Sequence, residues 1–149
     1  MSNVASVLVV DDQVLFRSGL AHLLNEDRRI KVVGEASDGA EAIALVRELE
    51  PDVVLMDLKM PGLNGIQATA EIVKRYPNTK VLILTTFEVE PYVVDALAAG
   101  ASGYVLKHAS SKAIASSIVT VVDGERVLSD AVATRLLHFA QLGHDVAQP

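Results

Sequence analysis

Short apolar runs alternate with longer amphipathic segments along this chain. The apolar runs are rich in β-branched residues, which is typical of buried parallel strands. They cover Ser6–Val10, Lys31–Glu35, Val53–Met56, Lys80–Leu84 and Gly103–Leu106. Between them apolar residues recur at helical spacing, as in Ile114, Ile118 and Val121. The pattern therefore predicts five strands, each followed by a helix.

Turn signals separate these elements. Asp38-Gly39 opens the second predicted helix, Pro91 can occupy the first turn of the fourth, and Gly100 follows its end. Strands that alternate with helices predict an α/β fold, a doubly wound five-stranded parallel sheet with helices on both faces. A last helical stretch, about Asp130–Leu142, leads into a polar tail.

Composition restricts the class of protein. The 149 residues suit one domain, and half of them are hydrophobic. A formal net charge of -6 argues against nucleic-acid binding by this chain itself, because phosphate binding needs a basic face. The absence of cysteine excludes disulfides and thiolate metal sites. The first apolar run is too short for a signal peptide or a membrane span, so we expect a soluble, cytoplasmic protein that makes no membrane contact.

Polar residues cluster where the predicted strands end. They are Asp11, Asp12, Asp57, Thr85, Thr86 and Lys107. In open α/β sheets ligands bind outside the carboxyl ends of the strands, where the strand order reverses. If the order is 2-1-3-4-5, the first and third strands are neighbours, and the three aspartates converge.

Three carboxylates beside one lysine repel each other unless a cation joins them. Mg²⁺ accepts carboxylate ligands and commonly shares its shell with phosphate oxygens. A carboxylate beside such a metal can also act as a nucleophile toward a phosphoryl group. Taken singly, Asp12 could be only a helix cap and Thr85 an ordinary strand residue. Their joint placement at one end of one sheet favours a functional site.

Four motifs in this order, "VVDD", "VLMDLKMPGLNG", "ILTTF" and "GASGYVLK", resemble the receiver domain of bacterial two-component response regulators. The resemblance covers about residues 4–123 and implies a flavodoxin/CheY-like fold. It implies that a sensor histidine kinase phosphorylates Asp57 in a Mg²⁺-dependent (or Mn²⁺-dependent) reaction. Asp12 and Asp57 would bind the metal directly, Asp11 through water, and Lys59 through its backbone carbonyl.

The same resemblance assigns a switch. Lys107 would pair with the phosphoryl group, Thr85, with Thr86 beside it, would move toward that group, and the orientation of Tyr104 would follow Thr85. Such a domain is not an enzyme beyond self-phosphorylation and self-dephosphorylation. This chain departs from many receivers at His108, where they carry proline after the lysine.

Two other functions fit less well. Haloacid-dehalogenase-type phosphatases also form an aspartyl phosphate, but they carry a second aspartate two residues after the first. Here the positions read Asp11-Asp12-Gln13-Val14, which lacks it. A flavodoxin-like cofactor module would need a Ser/Thr/Gly-rich phosphate loop after the first strand, where this chain has two acids.

The segments "DGAEAI" and "LTTFEVEPYVVDALAAGASGYVLK" resemble the NarL/FixJ subfamily of transcriptional regulators. We therefore expect a receiver domain at 1–124 and a linker helix with a tail at 125–149. A C-terminal helix-turn-helix domain, through which DNA would be bound, is expected to be absent from this chain; the alternative is a stand-alone receiver acting through protein contacts. Phosphorylation is expected to favour a homodimer, through the face of the fourth helix, fifth strand and fifth helix or through the first and fifth helices.

Overall fold

The computed structural model describes residues 4–58, 60, 62, 64–86, 91–128 and 134. Within these ranges a five-stranded sheet has the order β2-β1-β3-β4-β5, and every neighbouring pair is parallel. The strands are β1 (Ala5–Val10), β2 (Ile30–Ala36), β3 (Val53–Asp57), β4 (Lys80–Thr85) and β5 (Gly103–Leu106). This arrangement confirms the predicted fold and strand order.

A helix follows each strand. The helices are α1 (Val14–Asn25), α2 (Gly39–Leu49), α3 (Gly65–Arg75), α4 (Pro91–Ala98) and α5 (Ser111–Val122). The predicted boundary signals act as expected. Asp38 caps α2 by accepting a 2.8 Å hydrogen bond from the backbone N–H of Glu41, and Pro91 is the first residue of α4. Gly100 takes a φ of +117° just after α4 ends.

The sheet separates two hydrophobic cores, because alternate residues of a strand point to opposite faces. Leu8 and Val10 of β1 pack on the face covered by α2, α3 and α4. Val7 and Val9 pack on the opposite face, with α1 and α5. Helices therefore cover both faces, which leaves the ends of the strands as the place where polar groups can gather.

The C-terminal predictions are only partly within the described residues. The predicted helix at about Asp130–Leu142 lies outside them except for Thr134, and the domain boundary after residue 124 stays a prediction. Of the helices that the structure describes, none has the length and apolar character needed to cross a membrane.

Candidate functional site

The three aspartates meet at the carboxyl end of the sheet. Asp11 and Asp12 follow β1, Asp57 is the last residue of β3, and these two strands are hydrogen-bonded neighbours. Carboxylate oxygens of the three residues all lie within 4.8 Å of one another. The predicted convergence is confirmed, and it follows directly from the position of β1 beside β3.

Hydrogen bonds fix both the backbone and the side chain of Asp11. Its N–H donates to the carbonyl of Ala36 at 3.0 Å, and its own carbonyl accepts a 2.8 Å hydrogen bond from Arg17 Nη1. Its Oδ1 accepts a hydrogen bond from the backbone N–H of Gln13 at 2.8 Å. Arg17 is itself fixed by an ion pair with Glu35, at 2.9 Å. The acidic turn after β1 is therefore a preorganised structure.

Lys107 brings a positive charge to the aspartates. Its Nζ lies 2.7 Å from Asp11 Oδ2 and 3.6 Å from Asp57 Oδ2, and only 12% of its side chain is exposed. The same Nζ lies 5.0 Å from the centre of the Phe16 ring, a cation–π distance. Lys107 thus bridges two buried carboxylates, with its shorter contact to Asp11.

Asp12 differs from the other two aspartates because it is exposed. The sequence left open that it caps the first helix, but Gln13 is the N-cap residue of α1. The helix-cap alternative for Asp12 is therefore wrong. Its carboxylate stands at the solvent side of the cluster, where a cation can reach it.

Asp57 rests against the start of α3. Asn64 caps this helix in a reciprocal capping box with Gln67, at 2.9 and 3.2 Å, and Gly65 is its first residue. A Cβ on Gly65 would lie 2.7 Å from Leu58 Cα and still closer to the Asp57 carbonyl oxygen. This close approach gives Gly65 a part in placing Asp57 that was not predicted from the sequence. The signal that could have marked the start of α3 is the capping pattern of Asn64 and Gln67.

The switch residues occupy different environments. Thr85 ends β4 and is buried, Thr86 follows it and is exposed, and Tyr104 in β5 is buried with 5% exposure. The backbone N–H of Lys107 donates to the Thr85 carbonyl at 2.7 Å, which joins the ends of β4 and β5. Lys59, predicted to offer a backbone carbonyl, lies outside the described residues.

The cluster fits a hard divalent cation. Among the residues that the structure describes, three carboxylates share the ammonium group of Lys107, so this cluster has excess negative charge. Asp11 Oδ2 is fully buried and accepts no hydrogen bond of regular geometry from the residues that the structure describes, so the ion pair with Lys107 is its main stabilising contact. Clustered carboxylate oxygens with access to solvent are the ligands that Mg²⁺ prefers.

Known proteins share this sequence pattern and fold. A family model described as the response regulator receiver domain matches residues 7–136. The transcriptional regulatory protein YxjL of Bacillus subtilis (strain 168) is 40% identical over 131 residues, covering 88% of this chain and 60% of YxjL. The response regulator GacA of Pseudomonas aeruginosa is 41% identical over 130 residues, covering 87% of this chain and 61% of GacA.

A solved structure agrees with these matches. The crystal structure of a LuxR-family two-component response regulator from Aurantimonas sp. SI85-9A1 gives a TM-score of 0.82 at 34% identity, covering 91% of this chain and 97% of that one. The chain spans about three fifths of the length of the two regulators, YxjL and GacA. The family match over most of the sequence and the shared fold agree with the resemblance found in the motifs, and the chain belongs to the response regulator receiver domains of two-component systems.

Proposed function

We propose that this receiver domain is a phosphorylation-controlled switch in which Asp57 accepts the phosphoryl group. The observation that carries the proposal is the bridge of Lys107 between Asp11 and Asp57, beside the carboxylate of Asp12. One buried nucleophile, one buried cation and two further acids are the parts that phosphoryl transfer to a carboxylate needs.

The transfer proceeds from a phosphohistidine of a sensor histidine kinase. A carboxylate oxygen of Asp57 forms a bond to phosphorus, the P–N bond breaks, and its electron pair returns to the imidazole nitrogen. Lys107, 3.6 Å from Asp57 Oδ2, needs only a small movement to pair with a phosphoryl oxygen. Thr85 then donates its hydroxyl to another oxygen, and Tyr104 follows Thr85.

Asp12 and Asp57 would hold Mg²⁺ (or Mn²⁺), with Asp11 acting through water and the Lys59 backbone carbonyl as a further ligand. The metal, when bound, would supply positive charge to the phosphoryl oxygens as the new bond forms. No other substrate is turned over, and the domain catalyses only its own phosphorylation and dephosphorylation.

The output is transcription. Relatives such as YxjL are named transcriptional regulatory proteins, and this chain aligns with about 60% of YxjL. We place DNA binding in a C-terminal helix-turn-helix domain of the whole regulator, controlled by homodimer formation of phosphorylated receivers. The net charge of -6 on this chain agrees with DNA contact lying elsewhere.

The test is phosphorylation by acetyl phosphate in the presence of Mg²⁺. Asp57→Asn keeps size and polarity but removes the nucleophilic oxygen, whereas Asp95→Asn makes the same change at an exposed site on α4. Intact mass should show one added phosphoryl group on the native chain and on Asp95→Asn, and none on Asp57→Asn. Chelation of the metal should slow the reaction of the native chain. Stoichiometric phosphorylation of Asp57→Asn would refute the assignment.

A further inference from the structure

Residues Glu125–Leu128, called the strap, run beside the last strand of the sheet. Among the strands that the structure describes, β5 is at the end of the sheet and has β4 as its one neighbouring strand. Gly124 takes a φ of +92° after α5 and turns the chain back toward that outer edge. Val127 then pairs with Gly103 as a parallel bridge.

The strap is held by backbone hydrogen bonds. The N–H of Val127 donates to the carbonyl of Ser102, and the N–H of Tyr104 donates to the carbonyl of Val127, both at 3.0 Å. Arg126 Nη2 lies 3.4 Å from the carbonyl oxygen of Ala101. The side chains add apolar contact, because Val127 packs on the α1–α5 core and Leu128 on the opposite core, which includes Tyr104.

Gly103 allows the backbone of the strap to lie close to β5. A Cβ at this position would lie 2.8 Å from the Val127 nitrogen and closer still to the Val127 carbonyl oxygen. Only a residue without a side chain allows the two backbones to approach this closely. An edge strand is otherwise a ready template for pairing with another chain, so the strap also covers a surface to which a second copy could add.

The strap and the proposed phosphorylation site lie at opposite ends of the same short strand. Ser102 and Tyr104 bind the strap at one end of β5, and Lys107 follows its other end, roughly 10 Å away at the rise of an extended chain. Tyr104 takes part in both, since its backbone binds Val127 and its side chain is the proposed partner of Thr85.

We propose that the strap is the intramolecular partner of the β5 edge, and that its docking is coupled to phosphorylation through β5. This inference rests on the proposed function. The structure has Tyr104 buried while the strap is docked. We therefore expect a phosphorylated form that keeps Tyr104 in this position to favour the docked strap. The segment that follows residue 128 in the whole regulator then responds to the phosphorylation of Asp57. While the strap is docked, a second copy cannot pair with the backbone of Ser102 and Tyr104 at this edge.

Val127→Pro tests the docking, because proline has no N–H to donate to Ser102. Val127→Ala is its matched control, with the backbone donor retained. The Tyr104 amide should exchange with solvent at least about tenfold faster in Val127→Pro than in Val127→Ala, which corresponds to about 1.4 kcal/mol of lost docking free energy. Equal exchange in the two variants would overturn the docking. Gly103→Ala provides a second variant, through the clash with Val127.

Coupling is tested with beryllofluoride and Mg²⁺ on the native chain. Activation should slow exchange of the Tyr104 amide several-fold, and by reciprocity Val127→Pro should bind beryllofluoride more weakly by the same factor. Unchanged exchange, or equal affinity of the two chains, would overturn the coupling while leaving Asp57 as the phosphoacceptor. A native chain that fails to bind beryllofluoride would instead refute the proposed function, and the coupling with it. The difference in Tyr104 amide exchange between Val127→Pro and Val127→Ala would still decide whether the strap docks.

Discussion

Gly65 lies directly behind the backbone of Asp57, and we predict that Gly65→Ala damages both stability and phosphorylation. The new methyl group would lie 2.7 Å from Leu58 Cα and closer to the Asp57 carbonyl oxygen. These are backbone atoms, which cannot rotate away as a flexible side chain can. The start of α3 and the end of β3 must therefore move apart, and Asp57 moves with them.

The size of the effect follows from two opposing contributions. Overpacking against a well-packed site costs about 1–3 kcal/mol, and the contact with backbone places Gly65→Ala at the upper end. Replacing glycine by alanine in a helix otherwise gains about 0.5–1 kcal/mol. Gly19 is exposed in α1, and an added methyl group there would meet nothing within 4 Å, so Gly19→Ala shows that gain alone. The two variants should differ by about 2–3 kcal/mol, with opposite signs relative to the native chain.

Urea unfolding measures the stability difference, and acetyl phosphate with Mg²⁺ measures the reaction. Gly65→Ala should also be phosphorylated about 10- to 100-fold more slowly, because misplacing a reacting group by about 1 Å costs on that order. Gly19→Ala should react at the native rate. If Gly65→Ala proves as stable and as reactive as Gly19→Ala, the close approach of α3 to Asp57 does not position the site.

Two further predictions concern charge. Lys107→Met should destabilise the metal-free domain by about 3–5 kcal/mol in urea unfolding, because it leaves the buried carboxylate of Asp11 without its cation. Mg²⁺ should then stabilise the variant more than the native chain, since the metal ion replaces the missing positive charge. Equal stabilisation of the two chains by Mg²⁺ would contradict the idea that Lys107 and the metal ion neutralise the same carboxylates. Hydrogen bonds from Arg29 lower the pKa of Asp27 from 3.8 to about 2, so this pair contributes stability above pH 3.8 that is lost as the pH falls toward 2. A carboxyl titration followed by NMR should find the Asp27 midpoint near 2 in the native chain and closer to 3.8 in Arg29→Gln. A native midpoint near 3.8 would exclude the interaction.

Most of the fold and the outline of the site could be predicted from the sequence because both depend on local patterns. Hydrophobic periodicity placed the five strands, and the polar residues at their ends marked one edge of the sheet. The differences are at the boundaries. Asp57 and Thr85 belong to β3 and β4, since they pair in register with Leu84 and Leu106. A polar residue after an apolar run is typical of a loop in the sequence, although its backbone can still pair with the neighbouring strand.

The distances between segments that are far apart in the sequence could not be predicted. Nothing in the local sequence shows that Lys107 lies closer to Asp11 than to Asp57. The need for glycine at 65 and 103 arises from backbone that lies close in space, namely Asp57 and Val127. Sequence patterns specify which face of an element is buried, but they do not specify the distance between two backbones that meet in the folded chain.

The charge arrangement explains why a group added at Asp57 can affect the far end of β5. In the structure Lys107 divides its contacts between Asp11 at 2.7 Å and Asp57 at 3.6 Å. A phosphoryl group would shift this balance, because a dianionic group attracts the ammonium ion more strongly than one carboxylate does. Lys107 directly follows β5, and its backbone N–H is bonded to Thr85, so movement toward the phosphoryl group acts on both strand ends together. The strap is bonded to the other end of β5 at Tyr104, so a movement of β5 acts directly on it.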